Sequence, residues 1–223
     1  MDTALMLSDT HGYHRHLDST MLPKADAIFH AGDFSSVGTP DQVRDFMNWF
    51  SNLDQYRFRI CISGNHDKLS ERNPELFKSL IPSNVIYLED SGIELEGLKI
   101  WGSPISCTFG NNWAWNRDRG EQINKHWKNI PDDTQLLMVH TPMFSVLDKC
   151  LSGERVGCKD LLLRVSQLSD IKCVQTGHIH QSSGVEEFVK NKICVNSSIL
   201  DDNYDMVFAP YLIDIKTWKS IKY

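Results

Sequence analysis

The stretch "ALMLSDTHG" at 4–12 runs from four apolar residues straight into a carboxylate and an imidazole, Asp9 and His11. A short apolar run bounded by turn-forming residues reads as a buried strand. In α/β folds the functional groups collect beyond the carboxyl ends of such strands. The same arrangement recurs along the chain. "DAIFHAG" at 26–32 leads into Asp33, and "RFRICIS" at 57–63 leads into "GNHD" with Asn65, His66 and Asp67. "TQLLMVH" at 134–140 ends on His140, and "IKCVQTG" at 171–177 leads into "HIH" with His178 and His180. Five strand ends thus deliver oxygen or nitrogen donors and use five of the nine histidines. Taken singly, each piece has a plain explanation: an aspartate bonding its own turn, an asparagine in a left-handed bend, a satisfied core histidine, a pair of solvated imidazoles. Those explanations would have to coincide at five strand ends in order.

Further strand-length runs stand at 84–88, 98–102, 184–189, 192–197 and 211–215, and "IELEGLKIW" (93–101) and "EEFVKNKICV" (186–195) read as hairpins. Between the early runs lie helical patterns. At 39–53, Thr39 is a cap, Pro40 sits in the first turn, and Val43, Phe46, Met47 and Phe50 follow helical spacing. The segments 71–80, 119–129 and 158–168 predict further helices. Strand–helix alternation followed by hairpins predicts an α/β architecture with mixed sheets. With no repeat or linker, the 223 residues predict a single domain over 1–223.

Composition narrows the partners. Apolar residues make up 41%, and the formal charge of −6 is uninterrupted by any lysine or arginine run, so no strong grip on polymeric nucleic acid is expected. The six cysteines form no C-x-x-C pair and several sit inside apolar runs, which predicts free thiols in a reducing compartment. The chain enters "ALMLS" without a charged leader and has no run long enough for a membrane span, so the expected location is the cytoplasm. The oligomeric state is not legible.

Carboxylate, imidazole and amide oxygen together suit borderline divalent metals such as manganese, iron, zinc or cobalt. The lack of cysteine donors argues against a closed structural zinc site. Seven donors are too many for one tetrahedral ion and enough for two that share a bridge.

The ordered set D-x-H, G-D, G-N-H-D, H and G-H-x-H, spread from residue 9 to residue 180, resembles the calcineurin-like metallophosphoesterase superfamily. The flanking "HAGDFSSVG", "WGSP" and "GERVGCKDLL" are similar to its small branch of metallophosphoesterase-domain-containing proteins. The resemblance implies a four-layer α/β/β/α sandwich, two mixed sheets flanked by helices, with a two-metal centre at one edge. It implies that Asp9, His11 and His180 hold one divalent ion, that Asn65, His140 and His178 hold the other, and that Asp33 bridges them. Manganese is the first expectation, with iron, zinc, nickel, cobalt and magnesium compatible. His66 and Asp67 would be the catalytic pair, His66 facing the substrate phosphate beside Asn65 and Asp67 fixing the imidazole's orientation.

Two such ions clamp a phosphoryl group and generate a hydroxide between them. Ser/Thr protein phosphatases of the superfamily carry an arginine after the second block and glutamate in "GNHE". This chain reads "GDFSSVG" and "GNHD", so phosphodiesters are the expected substrates, and the resemblance to the small branch implies diesters of small nucleotides, cyclic nucleotides included. A phosphomonoesterase or nucleotide pyrophosphatase on the same site is the alternative. A non-catalytic scaffold has no need of an intact donor set. Arg15 is a candidate phosphate contact, although a solvated residue of a first helix explains it as well. Phe109, Trp113 and Trp115 either stack a base or pack a loop onto the sheet. His14 and His16 line the pocket or lie exposed, and His30, His126 and Cys158 read as structural.

Overall fold

Side chains alternate between the two faces of a strand, so a strand apolar on both faces must be covered on both sides. The computed structural model, which describes residues 1–18 and 20–223, meets that demand with two sheets packed face to face and helices outside each. In chain order the elements are β1 (Thr3–Leu7), β2 (Ala27–Ala31), α1 (Pro40–Ser51), β3 (Phe58–Ile62), α2 (Lys68–Arg72), α3 (Pro74–Ser79), β4 (Ile86–Tyr87), β5 (Ser91–Leu95), β6 (Leu98–Ser103), β7 (Ser106–Cys107) and β8 (Asn116–Arg117). There follow α4 (Glu121–Trp127), β9 (Leu136–Val139), α5 (Lys159–Gln167), β10 (Cys173–Thr176), β11 (Gly184–Val189), β12 (Lys192–Asn196), β13 (Tyr211–Asp214) and β14 (Lys219–Ile221). One sheet has the order β14-β13-β1-β2-β3-β4 and the other β11-β12-β10-β9-β6-β5, with β7 and β8 forming a small separate pair.

In the first sheet β1 to β4 are parallel, and β13 and β14 are added antiparallel. In the second, β12, β10, β9 and β6 are parallel, with β11 and β5 antiparallel at the edges. The alternation sorts the core into three layers. Ala4, Met6, Phe29, Ile60 and Ile62 meet Leu136, Met138, Cys173 and Val195 between the sheets. Their neighbours Leu5, Leu7, Ile28 and Cys61 face outward onto Phe46, Met47 and Phe50 of α1 and Phe77 of α3. On the far side Leu137, Val139, Val174 and Cys194 pack on Ile123 and Trp127 of α4 and Leu161 and Val165 of α5. These three layers separate the four tiers of an α/β/β/α sandwich.

Local chemistry sets the element ends. Thr39 caps α1 by accepting from Gln42 N, with Pro40 in its first turn. The helix expected across 71–80 is two helices instead. Pro74 forbids helical geometry at the residue before it. Asn73 therefore leaves the helix at φ −144°, ψ 74° and caps α3 by accepting from Leu76 N. The hairpin expected at 93–101 turns on Glu96 and Gly97, at φ 51° and 83°. Both lie in the left-handed region, as a two-residue hairpin turn matched to strand twist requires. All six cysteines are free, and five are buried. No helix among the described residues is long and apolar enough to cross a membrane.

Phe29 is fully buried between the sheets. Phe29→Ala should lower the unfolding free energy by about 3–5 kcal/mol in a urea titration, the cost of a large buried cavity.

Candidate metal centre

All five donor-bearing segments follow strands that run parallel within their own sheet: β1, β2 and β3 in one, β9 and β10 in the other. The two sheets are tied together at this edge. Gln175, buried on β10, donates from Nε2 to the carbonyls of Leu7 and Phe29 at 3.2 Å and to Ser197 Oγ at 3.0 Å. Ser8 N donates to Ser197 O at 2.8 Å, so the end of β1 continues onto the end of β12.

The chain turns sharply just past each strand. Asp9, His11, Asp33 and His178 have φ of 54°, 43°, 54° and 71°. Non-glycine residues are seldom left-handed, and such strain is held where the surroundings dictate it. Here the amides of Asp9 and His11 donate to Gly32 O and Asp33 O at 3.0 Å, clipping the first loop to the second. Two glycines admit the close approach. A Cβ on Gly64 would stand 2.3 Å from Asp33 Oδ1, and one on Gly177 would stand 2.3 Å from Asp9 Oδ2.

The expected ligands are brought together. Asp9, His11 and His180 form one set whose donor atoms lie within 4.8 Å of one another, and Asp33, His140 and His178 form another. Asn65 joins the second set through Oδ1, 3.1 Å from His140 Nε2. Asp33 stands between the sets, its Oδ2 3.8 Å from His11 Nε2 and 3.2 Å from His140 Nε2. A third triple, His11, Asp33 and His66, places the His66 ring on the same carboxylate, Nε2 4.0 Å from Oδ2.

Backbone carbonyls orient three of the imidazoles. Nδ1 of His140 faces Ala31 O at 2.8 Å, that of His180 faces Asp201 O at 2.9 Å, and that of His66 faces Ser36 O at 2.6 Å. A carbonyl only accepts, so each Nδ1 carries hydrogen and each Nε2 turns toward the centre, an arrangement found around metal-ligating histidines. Asp9 accepts from Ser8 Oγ at 2.6 Å, Ser198 Oγ at 2.7 Å and His178 N at 3.1 Å.

The result is a knot of electron-rich atoms. The lone-pair positions of His140 Nε2, Asn65 Oδ1 and Asp33 Oδ2 converge, and His11 Nε2 faces His180 Nε2 at 3.3 Å. Such atoms repel unless a proton or a cation lies among them, and the mixed nitrogen and oxygen set fits divalent transition metals. The ionisation equilibria respond to the same pull. Burial opposes a charge on His140 and His180, yet Asp33 beside the first and Asp9 beside the second lift each pKa to about 9. Burial lowers His11 to about 4 and, with the charge of His140, lowers His178 to about 3. Burial also opposes ionisation of Asp9 and Asp33, but His180 and His140 respectively hold both below the ordinary carboxylate range.

Asp67 is placed differently from the expectation. It does not touch the His66 ring. Its carboxylate accepts from Phe34 N (3.3 Å), Ser35 N (2.9 Å), Ser35 Oγ (2.6 Å) and Gly64 N (2.8 Å), stapling the loop after β2 to the loop after β3. The ring is oriented by Ser36, so Asp67 acts through the loop that carries that carbonyl. Burial and the charge of Asp33 push Asp67 up to about 7. Arg15 is not brought to the centre: it is exposed and bonded to Asp45. His14 packs on Phe46 and Trp49, His16 lies exposed beside Tyr13, and His30 is enclosed by Phe34, Phe46 and Phe50. His126 bonds Asp90, and Cys158 caps α5.

The aromatic segment divides. Trp115 is buried and donates to Ser70 Oγ at 2.8 Å, whereas Trp113 lies 4.3 Å from the His66 ring and Phe109 lies 4.8 Å from His178, by centroid. Tyr204, 5.0 Å from His11 and 5.7 Å from His180, completes an aromatic rim that the sequence reading missed. The only signal was its place in the polar "DDNYD" stretch at 201–205.

Two outcomes follow from this geometry. Gly177→Ala should weaken manganese binding by about tenfold or more in calorimetry, since supporting atoms around ligands carry effects of that order. Metal uptake near pH 7 should release protons from His140 and His180, so affinity should rise with pH up to about 9. Calorimetry in buffers of different ionisation enthalpy reads that release directly.

A family model described as calcineurin-like phosphoesterase matches residues 3–182. Metallophosphoesterase domain-containing protein 1 of Homo sapiens is 33% identical over 95% of this chain and 70% of its own length. A 3',5'-cyclic-nucleotide phosphodiesterase of Nostoc is 23% identical over 71% of this chain and 57% of its own length. Among solved structures, TT1561 of Thermus thermophilus superposes with a TM-score of 0.64 at 13% identity, covering 99% of this chain and 97% of the other. With its donor set, its sandwich and these relatives in agreement, the chain belongs to the calcineurin-like phosphoesterase family.

Proposed function

We propose that the protein hydrolyses phosphodiesters of small nucleotides at a two-metal centre. In this reading Asp9, His11 and His180 would hold one divalent ion, Asn65, His140 and His178 would hold the other, and Asp33 would serve both. The observation that carries it is the position of Asp33, whose Oδ2 lies within 3.8 Å of His11 Nε2 and 3.2 Å of His140 Nε2 and so belongs to both donor sets. The family's phosphoester chemistry and its use of a binuclear divalent centre support the same reading. When bound, the two ions supply Lewis-acid polarisation of a phosphoryl oxygen and a water of lowered pKa. Manganese suits the mixed nitrogen and oxygen donors.

The chain's own groups supply the rest. Ser36 O holds the Nδ1–H of His66, so that in the imidazolium form the second proton sits on Nε2, from which it passes to the departing ester oxygen. Its ring lies against Trp113, over which Lys68 Nζ is poised at 4.5 Å. Phe109, Trp113 and Tyr204 rim a hollow of about 260 Å³ above Asp33, Asn65 and His66, and limit the water around the reacting group. Preference for a diester rests on charge. Among the described residues the hollow's lining includes no lysine or arginine, Lys68 standing behind Trp113, and it does include the carboxylates of Asp33 and Asp202, so a singly charged diester is better served than a doubly charged monoester. The Nostoc relative, named as a cyclic-nucleotide phosphodiesterase, is in keeping with this.

His66→Ala should still bind two manganese ions by calorimetry, while turnover of bis(p-nitrophenyl) phosphate falls by about 10²–10⁴-fold, the usual weight of general acid–base assistance. Undiminished turnover in that variant removes His66 from the mechanism. Faster hydrolysis of p-nitrophenyl phosphate than of the bis-ester reverses the substrate preference.

A further inference from the structure

On one side of the molecule the two sheets end in β11 and β14, and among the described residues no further strand pairs with either. Between these edges opens a groove of about 230 Å³ floored by Val185, Ile193 and Trp218. Ile193 and Trp218 belong to the apolar layer between the sheets, so the groove is that layer's open end. Val185 and Val189 stand exposed on β11. A strand edge offers its amides and carbonyls to another chain unless charges or bulges blunt it.

The two edges carry opposite charge. β11 presents Glu186 and Glu187, β14 presents Lys219, and Lys222 follows directly, all of them exposed. Like charges on facing strands repel, whereas acid opposite base attracts. Glu187 is engaged in its own hairpin, where Oε1 accepts from Asn191 N at 2.8 Å. Glu186 and Lys219 lie on matching faces of their sheets. Glu186 pairs opposite Cys194, and Ile221, two residues from Lys219, pairs opposite Leu212. Cys194 and Leu212 both pack on the helix side, and facing residues share a face, as do residues i and i+2.

Strand sense agrees as well. β14 runs with β1, since both pair antiparallel with β13, and β11 runs against β12. Ser8, just past β1, bridges Ser198, just past β12, in parallel fashion, so β11 and β14 run in opposite senses. Self-complementary contact through this side has two solutions. A two-fold axis running from sheet to sheet would join each edge to its own copy, glutamate against glutamate and lysine against lysine. A two-fold axis along the strands would join β11 of each subunit to β14 of the other, antiparallel, with acid against base at both seams. The register of β11 shifts between Glu187 and Val189, which leaves a regular stretch of the right length for the three residues of β14.

We propose that the protein forms a two-fold dimer of the second kind, in which Gly184, Val185 and Glu186 pair with Ile221, Ser220 and Lys219 of the partner subunit. Each sheet then continues into a sheet of the other copy, and the two apolar grooves close over each other across the axis. The proposal is independent of the phosphoester chemistry.

Sedimentation velocity over a concentration series tests it, with circular dichroism melts confirming that each variant is folded. The unmodified protein should dimerise reversibly, and added salt should weaken the dimer. Glu186→Lys and Lys219→Glu should each raise the dissociation constant about tenfold or more, because each sets like charges face to face at both seams. The double variant, with acid and base exchanged, should return to within about threefold of the unmodified protein. An oxidised mixture of Glu186→Cys and Lys219→Cys proteins should form a disulfide between positions 186 and 219, read by peptide mass spectrometry. A protein that stays monomeric, single reversals that leave the dimer intact, or an exchange that fails to restore it overturns the proposal. A disulfide joining two copies of position 186 reveals the like-edge dimer and overturns it too.

Discussion

Asp33 is the point on which the molecule turns. Its carboxylate is buried, accepts from His66 N at 2.7 Å, and stands among imidazole nitrogens and an amide oxygen contributed by both sheets. Taken from water, such a charge costs several kcal/mol unless it is compensated. Lifted proton affinities at His140 and His180 supply that compensation without metal, and a pair of cations supplies it better. The geometry of the sandwich edge follows from keeping this charge surrounded.

That cluster is held against its own repulsion by a rigid frame. Four left-handed residues, Asp9, His11, Asp33 and His178, are each disfavoured locally. They persist because their neighbours are immobilised: the inter-sheet layer around Phe29 and Met138 fixes the strand ends, and Gln175 joins the two sheets just beneath the centre. Asp67 then ties the second and third loops to each other. Loops that would otherwise wander are pinned by packing below and by hydrogen bonds above. The donors are therefore preorganised and need not be gathered when a ligand arrives.

Much of this was legible in the chain. Strands at 4–8, 26–32, 57–63, 134–140 and 171–177 have apolar faces on both sides, and that pattern depends only on local sequence. The donor residues were legible because they fall directly after those strands. What the spacing left obscure was any role that depends on a partner far along the chain. The resemblance implied that Asp67 orients the ring of His66, yet its bonds run to Phe34 and Ser35. Trp113 and Trp115 are two residues apart and alike in type, and burial alone makes one core and the other rim. Pro74 did break a helix that apolar spacing alone continued.

By itself the sequence determined which atoms are available and on which elements they ride, because strand periodicity, turn chemistry and donor type are local properties. Only the tertiary structure decided which donor atoms lie beside one another, which carbonyl holds each imidazole, and that Tyr204 comes to the rings of His11 and His180 at all. Those outcomes depend on how two sheets are laid against each other. That is a matter of packing between residues more than a hundred positions apart, and no local pattern encodes it.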